Sequence, residues 1–474
     1  AEDGIRDRSP SRGLGDVYKR QVEAEQRLKG SCPWVFAHDG EAMRFVTDFI
    51  WRSPLGLRIN AQDTAGVTQT EDWIRIRGDQ LKPIDGVYEL SITAELWETH
   101  FFDHVSLMVV DHPVSTEIFV DERFAANEPP TLALYSTRAP RPLVAAWDDL
   151  GEEMTEVVAF RDGRYVSSFG RGAYQGVTRD HYLEVELDVP DEASPPSVLL
   201  AYGWVYPTDS SINVALAQGS HDAPRGVALE AQTASGGWTT VHADLGFPSG
   251  KNKTLVIDLT AVPWHGNRQR FRLRTNLEIY WDWIAVTDAL ELPLRTERLA
   301  PSVADLGYRG FSRTHDVGPR GPEVPRYDEL ANTAPRWRDL VGYHTRFGDV
   351  RPLLNDVDDR YVIMNAGDEL SLRFQAPPET PDGWRRDFVL IGDGWVKDGD
   401  FNTGFSETVL PLPSHDDATY TRVPTTLEAD PVFQRHQEDW ERFHTRYVTP
   451  SRFLGGLVSS GPSHRSNVSP AGRR

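Results

Sequence analysis

The sequence predicts a mostly β chain, built as antiparallel β-sandwich or jelly-roll-like lobes with few short helices. Three observations carry that prediction. Apolar residues alternate with polar ones at period two, turn dipeptides separate the alternating runs, and a near-repeat twice leads an apolar run into Gly-Trp-Val. Alternation turns one strand face inward and leaves the other wet, the habit of antiparallel sheets.

In chain order, Ile74 and Ile76 alternate with Arg75 and Arg77, and Tyr88, Leu90, Ile92, Ala94 and Leu96 with Glu89, Ser91, Thr93 and Glu95. Val105 to Val110 reads as a buried strand. Leu183, Val185, Leu187 and Val189 repeat the alternation, as do Phe271 with Leu273 and Leu370, Leu372 with Phe374. Asp39-Gly40, Asp85-Gly86, Asp162-Gly163, Gly236-Gly237, Asp382-Gly383 and Asp393-Gly394 supply turns, because Gly tolerates the backbone angles that tight turns need. The near-repeat runs from Val198 through Gly203, Trp204 and Val205 to Asp209, and from Val389 through Gly394, Trp395 and Val396 to Asp400, which suggests two related lobes. The best helix signal has Asp430 as N-cap, Pro431 at the first helical position, and Phe433, Trp440 and Phe443 on an apolar face.

At 474 residues the chain exceeds a single domain at about 150 residues each. Pro-rich connectors and the Arg/Pro/Gly-rich run from Pro301 to Arg326 divide it into a non-native or disordered leader (1–30), an N-terminal β module (31–125), a β-sandwich domain (126–300), an extended arm with C-terminal strands (301–456) and a disordered tail (457–474). The net charge of -21 repels phosphate backbones and anionic lipid, so nucleic acid is a poor partner. No run reaches the roughly 18 apolar residues of a membrane span. The lone Cys32 excludes an intrachain disulfide and a CxxC knuckle. P-loop, dinucleotide and G-x-S-x-G signatures are absent from the sequence.

The stretches Cys32 to Gly56, Trp73 to Gly78, Leu96 to Pro113, Phe169 to Tyr182, Gly250 to Thr254, Arg274 to Asp282 and Asp398 to His415 resemble the C-terminal region of large bacterial proteins with FG-GAP and ASPIC/UnbV repeats, some also carrying tetratricopeptide repeats. The resemblance implies an extracytoplasmic setting (periplasmic, cell-surface or secreted) and upstream repeat domains as partners. It brings no catalytic residue to transfer.

Several constellations are candidates for chemistry. Asp398, Asp400 and Asn402 form a D-x-D-x-N loop of alternating oxygen ligands, with Asp393 and Glu407 placed to complete a calcium shell. The plainer reading is a turn whose carboxylates bond local backbone. His100, Asp103, His104, Asp111 and His112 make a His/Asp-rich run, read mainly as polar strand caps, with a first-row metal site as the lesser alternative. Tyr343 to Phe347 and Phe443 to Tyr447 share aromatic-His-Thr-Arg-aromatic, read as loop pins. Arg171, Tyr174, Gln175, Arg179, Asp180 and His181 are the densest polar-aromatic loop, and Asn276, Trp281 and Asp282 suit a sugar ring with its hydroxyls. The plainer reading packs Trp281 in a core and pairs Asp282 with an arginine.

These readings converge on a non-enzymatic interaction or structural module of a larger exported protein, with glycan or calcium as ligand. The alternative is a carbohydrate-active enzyme with acids among Asp180, Asp282 and Asp400. Two carboxylates facing each other across one deep pocket would mark the enzyme.

Overall fold

The computed structural model describes residues 33–49, 55–56, 69–96, 98–125, 128–189, 195–318, 320–331, 339–400, 402–417, 420 and 423–449. The expected leader and tail lie outside them, as does Cys32. The alternating runs become antiparallel strands, and the described residues hold three short α-helices, Ser210–Gln218, Pro431–Arg435 and Gln437–Phe443.

The strands build two sandwiches. In the outer one, a six-stranded sheet runs in the order Met43–Asp48, Trp34–His38, Val87–Thr93, Asp368–Gln375, Val303–Tyr308, Gly348–Asp349. It packs on a sheet of Arg295–Leu299, Glu98–Pro113, Trp384–Asp398 and Glu71–Ile76, with Leu90, Ile92 and Leu370 from one face meeting Ile74, Leu107 and Leu390 from the other. The inner sandwich pairs a sheet centred on Val177–Asp188 and Arg268–Leu277 with one centred on Val198–Val205 and Ile279–Thr287. Leu183, Phe271 and Leu273 there oppose Leu199, Leu255 and Ile284. Each fully buried Leu or Phe of this kind contributes about 1.5–3 kcal/mol, so these interlocked faces are the main source of stability.

The sequence division separates residues 31–125 from 301–456, yet their strands alternate within the same two sheets: Val87–Thr93 pairs with Asp368–Gln375, and Glu98–Pro113 with Trp384–Asp398. The expected arm is also strand. Val303–Tyr308 lies inside the six-stranded sheet because Ala304 and Leu306 alternate into its core, and Ser312–Asp316 pairs with Glu323–Leu330 as a hairpin. Gly318 and Gly321 lie at the hairpin turn, but Gly307 and Pro325 are strand residues, so the linker-like composition does not mark a linker.

The Gly-Trp-Val copies occupy matching places. Opposite Gly394 the partner strand carries an extra residue, Asp103, between Phe102 and His104; opposite Gly203 the extra residue is Asp282. These β-bulges reverse the inward parity, so Phe102 and Val105 both face the outer core, as Trp281 and Ile284 face the inner one. Glycine is required across from each bulge: a Cβ on Gly394 would lie 2.0 Å from the Phe101 carbonyl oxygen, and one on Gly203 2.4 Å from that of Tyr280.

A third segment completes each frame. Asp162-Gly163-Arg164-Tyr165-Val166 docks beside Trp281, and Asp358-Asp359-Arg360-Tyr361-Val362 beside Phe102. Gly163 and Asp359 both have left-handed backbone, at φ 78° and 67°. Tyr165 meets Trp204 edge-on at 6.5 Å, and Tyr361 meets Trp395 so at 5.4 Å. Along the chain the order is Phe101-Phe102-Asp103, Asp162 to Val166, Gly203-Trp204-Val205, then Tyr280-Trp281-Asp282, Asp358 to Val362, Gly394-Trp395-Val396. In space the first segment completes the last two, and Tyr280-Trp281-Asp282 completes the middle pair. The outer frame thus takes its Asp-bearing strand from the far side of the inner frame's segments in the sequence.

Buried polar joints fasten the sandwiches together. The Glu122 carboxylate accepts from the backbone N–H of Arg75 in the outer sandwich and of Thr254 in the inner one, each at 3.0 Å. Asp48 accepts from the Lys251 N–H at 2.8 Å, and its carbonyl takes the Lys253 ammonium at 2.6 Å.

Candidate functional site

Each bulged aspartate clamps the third segment of its frame. Asp282 accepts from the N–H groups of Asp162 (3.3 Å) and Gly163 (2.9 Å), and Asp103 from those of Asp359 (3.0 Å) and Arg360 (3.1 Å). Burial pushes the carboxyl of Asp282 up to about 6 and that of Asp103 up to about 8, against the pull of those hydrogen bonds.

The outer frame adds what the inner one lacks. Asp359 stands where the inner frame has Gly163, and Asp393, just before Gly394, stands where the inner frame has Tyr202. His415 enters between them. Its Nδ1 lies 2.6 Å from Asp359 Oδ1 and 3.6 Å from Asp103 Oδ2, and its Nε2 lies 3.0 Å from Asp393 Oδ1. Trp395 closes one side of the ring, edge-on at 4.4 Å. Thr70 Oγ1 donates to Asp393 at 2.9 Å, while Ser414 Oγ (2.8 Å) and Arg435 hold the other oxygen of Asp359. The His415 side chain keeps 30% of its surface exposed, so the cluster has one open edge above the fully buried Asp103.

Burial alone would lower the His415 pKa, but its bonds to Asp359 and Asp393 outweigh that and raise it to about 10. Burial works to raise Asp359, yet His415 and Ser414 hold it below the ordinary carboxylate value. Both ring nitrogens of His415 thus face carboxylates, which favours its protonated form. The atoms that remain for chemistry are Nδ1 and the Asp359 and Asp103 oxygens, all within 4.8 Å of one another.

The expected calcium residues do not gather around one point. Asp398 accepts from the Asp400 N–H at 2.8 Å and Asp400 from the Asn402 N–H at 2.8 Å, a run of turn caps. The same Asp400 carboxylate takes the Ser211 hydroxyl at 2.7 Å, docking the loop on the Ser210–Gln218 helix, whose N-cap is Asp209. Asp393 departs for His415, and Glu407 offers its carbonyl to the Val341 N–H at 3.0 Å.

The expected ligand residues are largely absorbed by the fold. Arg171 pairs with Glu278 (3.2 Å), Gln175 donates to the Pro207 carbonyl (2.9 Å), Arg179 pairs with Asp149, and Tyr174 packs edge-on against His221 at 5.0 Å. His181 bonds Thr178 (3.1 Å) and the Arg179 carbonyl (3.0 Å), and Asn276 bridges the Ala223 carbonyl and Arg225 N–H. Trp281 lies in the inner core, and Asp282 holds backbone donors in place of the arginine the sequence suggested. Asp180 lines a cavity of about 390 Å³, with Asp222, Ala223, Arg225 and Arg274. Burial would raise its pKa, but Arg274 and Arg225 hold it below the ordinary value.

The His/Asp-rich run disperses as well: Asp111 pairs with Arg386 at 2.6 Å, His112 Nδ1 bonds Thr116 at 3.0 Å, and only Asp103 enters the cluster. The two aromatic-His-Thr-Arg-aromatic segments pair with each other, Tyr343 against Tyr447 at 4.9 Å, while His444 Nε2 donates to the Tyr361 carbonyl oxygen at 2.9 Å. Sequence reasoning missed Asp359, His415 and Arg435. The signal that leads to the first is the likeness of Asp358-Asp359-Arg360-Tyr361-Val362 to Asp162-Gly163-Arg164-Tyr165-Val166.

No helix among the described residues is long and apolar enough to cross a membrane. Compared with known proteins, the chain matches no family model, no curated protein and no solved structure.

Proposed function

We propose that this chain is a non-enzymatic β-sandwich interaction module of a larger exported bacterial protein, contacting a glycan through the Asp180 cleft. One observation carries the reading. The acids on which the hydrolytic alternative rests are bound in three separate networks: Asp180 with Arg225 and Arg274, Asp282 with the Asp162 and Gly163 N–H groups, and Asp400 with Ser211 and Asn402. Cleavage of a glycosidic bond needs two carboxylates flanking one bond, about 5–10 Å apart. In the cleft of about 390 Å³ that Asp180 shares with Asp222, Asp180 is tied to Arg225 and Arg274, and these groups supply donors and acceptors for sugar hydroxyls. The exported setting and the upstream repeats rest on the sequence resemblance.

The test is a glycan panel with the full chain, read for binding and for release of reducing ends. Saturable binding that weakens at least tenfold in Asp180→Asn, without bond cleavage, supports the module. Cleavage that falls in Asp180→Asn or Asp400→Asn would establish the enzyme. In the Asp398 loop the carboxylates of Asp398 and Asp400 already hold the Asp400 and Asn402 N–H groups and the Ser211 hydroxyl. Thermal unfolding in chelator and in millimolar calcium is therefore expected to coincide, and a saturable rise lost in Asp400→Ala would restore calcium to the reading.

A further inference from the structure

We infer that Asp103, Asp359 and His415 form a binding site for a first-row transition metal of zinc type, with Asp393 as the carboxylate that orients the imidazole. This goes beyond the glycan reading and is tested without a sugar.

The ligand set is one nitrogen and two oxygens. Bonds of about 2.0–2.2 Å at tetrahedral angles set ligand atoms about 3.3 Å apart. Nδ1 lies 2.6 Å from Asp359 Oδ1 and 3.6 Å from Asp103 Oδ2, so shifts of under an ångström bring both to that spacing. Coordination replaces the proton that Nδ1 shares with Asp359, and that proton leaves to solvent.

The surroundings have the form that metal-bound histidines take. The second imidazole nitrogen of such a ligand is held by a carboxylate, which fixes the tautomer and turns the first nitrogen to the metal. Asp393 Oδ1 does this at 3.0 Å and is itself fixed by Thr70. Arg435 and Ser414 restrain Oδ2 of Asp359, and Oδ1, which also accepts the His415 backbone N–H at 3.2 Å, faces Nδ1. The exposed edge of His415 opens a fourth position to water and gives the ion its way in.

The inner frame is the internal comparison. It keeps the buried clamp, Asp282, but has Gly163 and Tyr202 where the outer frame has Asp359 and Asp393. A clamp alone therefore serves architecture. Imidazole favours zinc or cobalt over calcium, which takes oxygen ligands.

The experiment is titration of the full chain with cobalt(II), followed by zinc(II) and calcium(II), reading visible absorption and bound metal per chain. The expected result is one equivalent of cobalt, displaced by zinc, with calcium ineffective. His415→Gln and Asp359→Asn should lower affinity at least 100-fold, Asp393→Asn about 10–100-fold, and Asp282→Asn not at all. Circular dichroism separates lost binding from lost fold, and the milder Asp393→Asn keeps the test decisive if either ligand variant unfolds. Absence of uptake by the folded chain, or uptake unchanged in His415→Gln and Asp393→Asn, would overturn the site.

Discussion

His415 and Asp103 give the metal-free chain a defined pH response. The folded His415 pKa, about 10, lies above its unfolded value near 6.5, so its contribution is whole below pH ~6.5 and is lost as pH rises through about 10. Asp103, raised to about 8 by burial, prefers its protonated form in the fold, and its contribution falls across about pH 4 to 8. Melting temperature in chelator should therefore drop between pH 6 and 9.5, less steeply in His415→Gln; equal slopes would refute the assignment. Asp282→Ala is a separate case. It strands the Asp162 and Gly163 N–H groups and should cost about 1–3 kcal/mol in urea unfolding. Little of this was legible in the sequence: Asp103 and Asp393 stood out by composition, but His415 is an isolated letter until the fold brings it 3.0 Å from Asp393.

Strands were the most legible elements, since Leu183, Val185 and Leu187 or Leu370, Leu372 and Phe374 announce their period directly. The bulges were not, because one extra residue inverts the parity on which that reading depends. Their energetic weight is measurable at the facing glycines. Gly203→Ala and Gly394→Ala force a Cβ against a carbonyl oxygen and should each cost about 1–3 kcal/mol or more, whereas Gly307→Ala, with open space around it, should stay within about 0.5 kcal/mol. Comparable losses at all three would mean that the bulges yield to a side chain. The C-terminal helix shows a similar split. Asp430 caps it as expected, taking the Val432 N–H at 2.9 Å, but the single helix breaks at His436, where ψ of 31° leaves the helical region. Asp430 also accepts from Leu412, so Asp430→Ala should exceed the usual cap loss of about 1 kcal/mol.

Across the whole molecule, linear reading could detect two lobes through Gly-Trp-Val but could not see that the outer lobe takes its Asp-bearing strand from the far side of the inner lobe's segments. Local patterns carry no information about which of two similar partners a strand will choose. The inner sandwich draws its two main sheets from residues 141–287, so that fragment should fold alone with a cooperative thermal transition. Residues 33–125 should remain unfolded in isolation, because Val87–Thr93 and Glu98–Pro113 lack Asp368–Gln375 and Trp384–Asp398. A folded N-terminal fragment, seen by circular dichroism and protease resistance, would contradict the interleaving. This interleaving also imposes an order in time. Asp103 meets the Asp359 N–H across 256 residues, about 13–50 s of synthesis at 5–20 residues per second. During that interval Phe101-Phe102-Asp103 has the Asp162 and Gly203 segments as its earliest available partners, and Tyr280-Trp281-Asp282 must win them before the chain is finished. Closure of the inner sandwich is thus the step that commits the outer one.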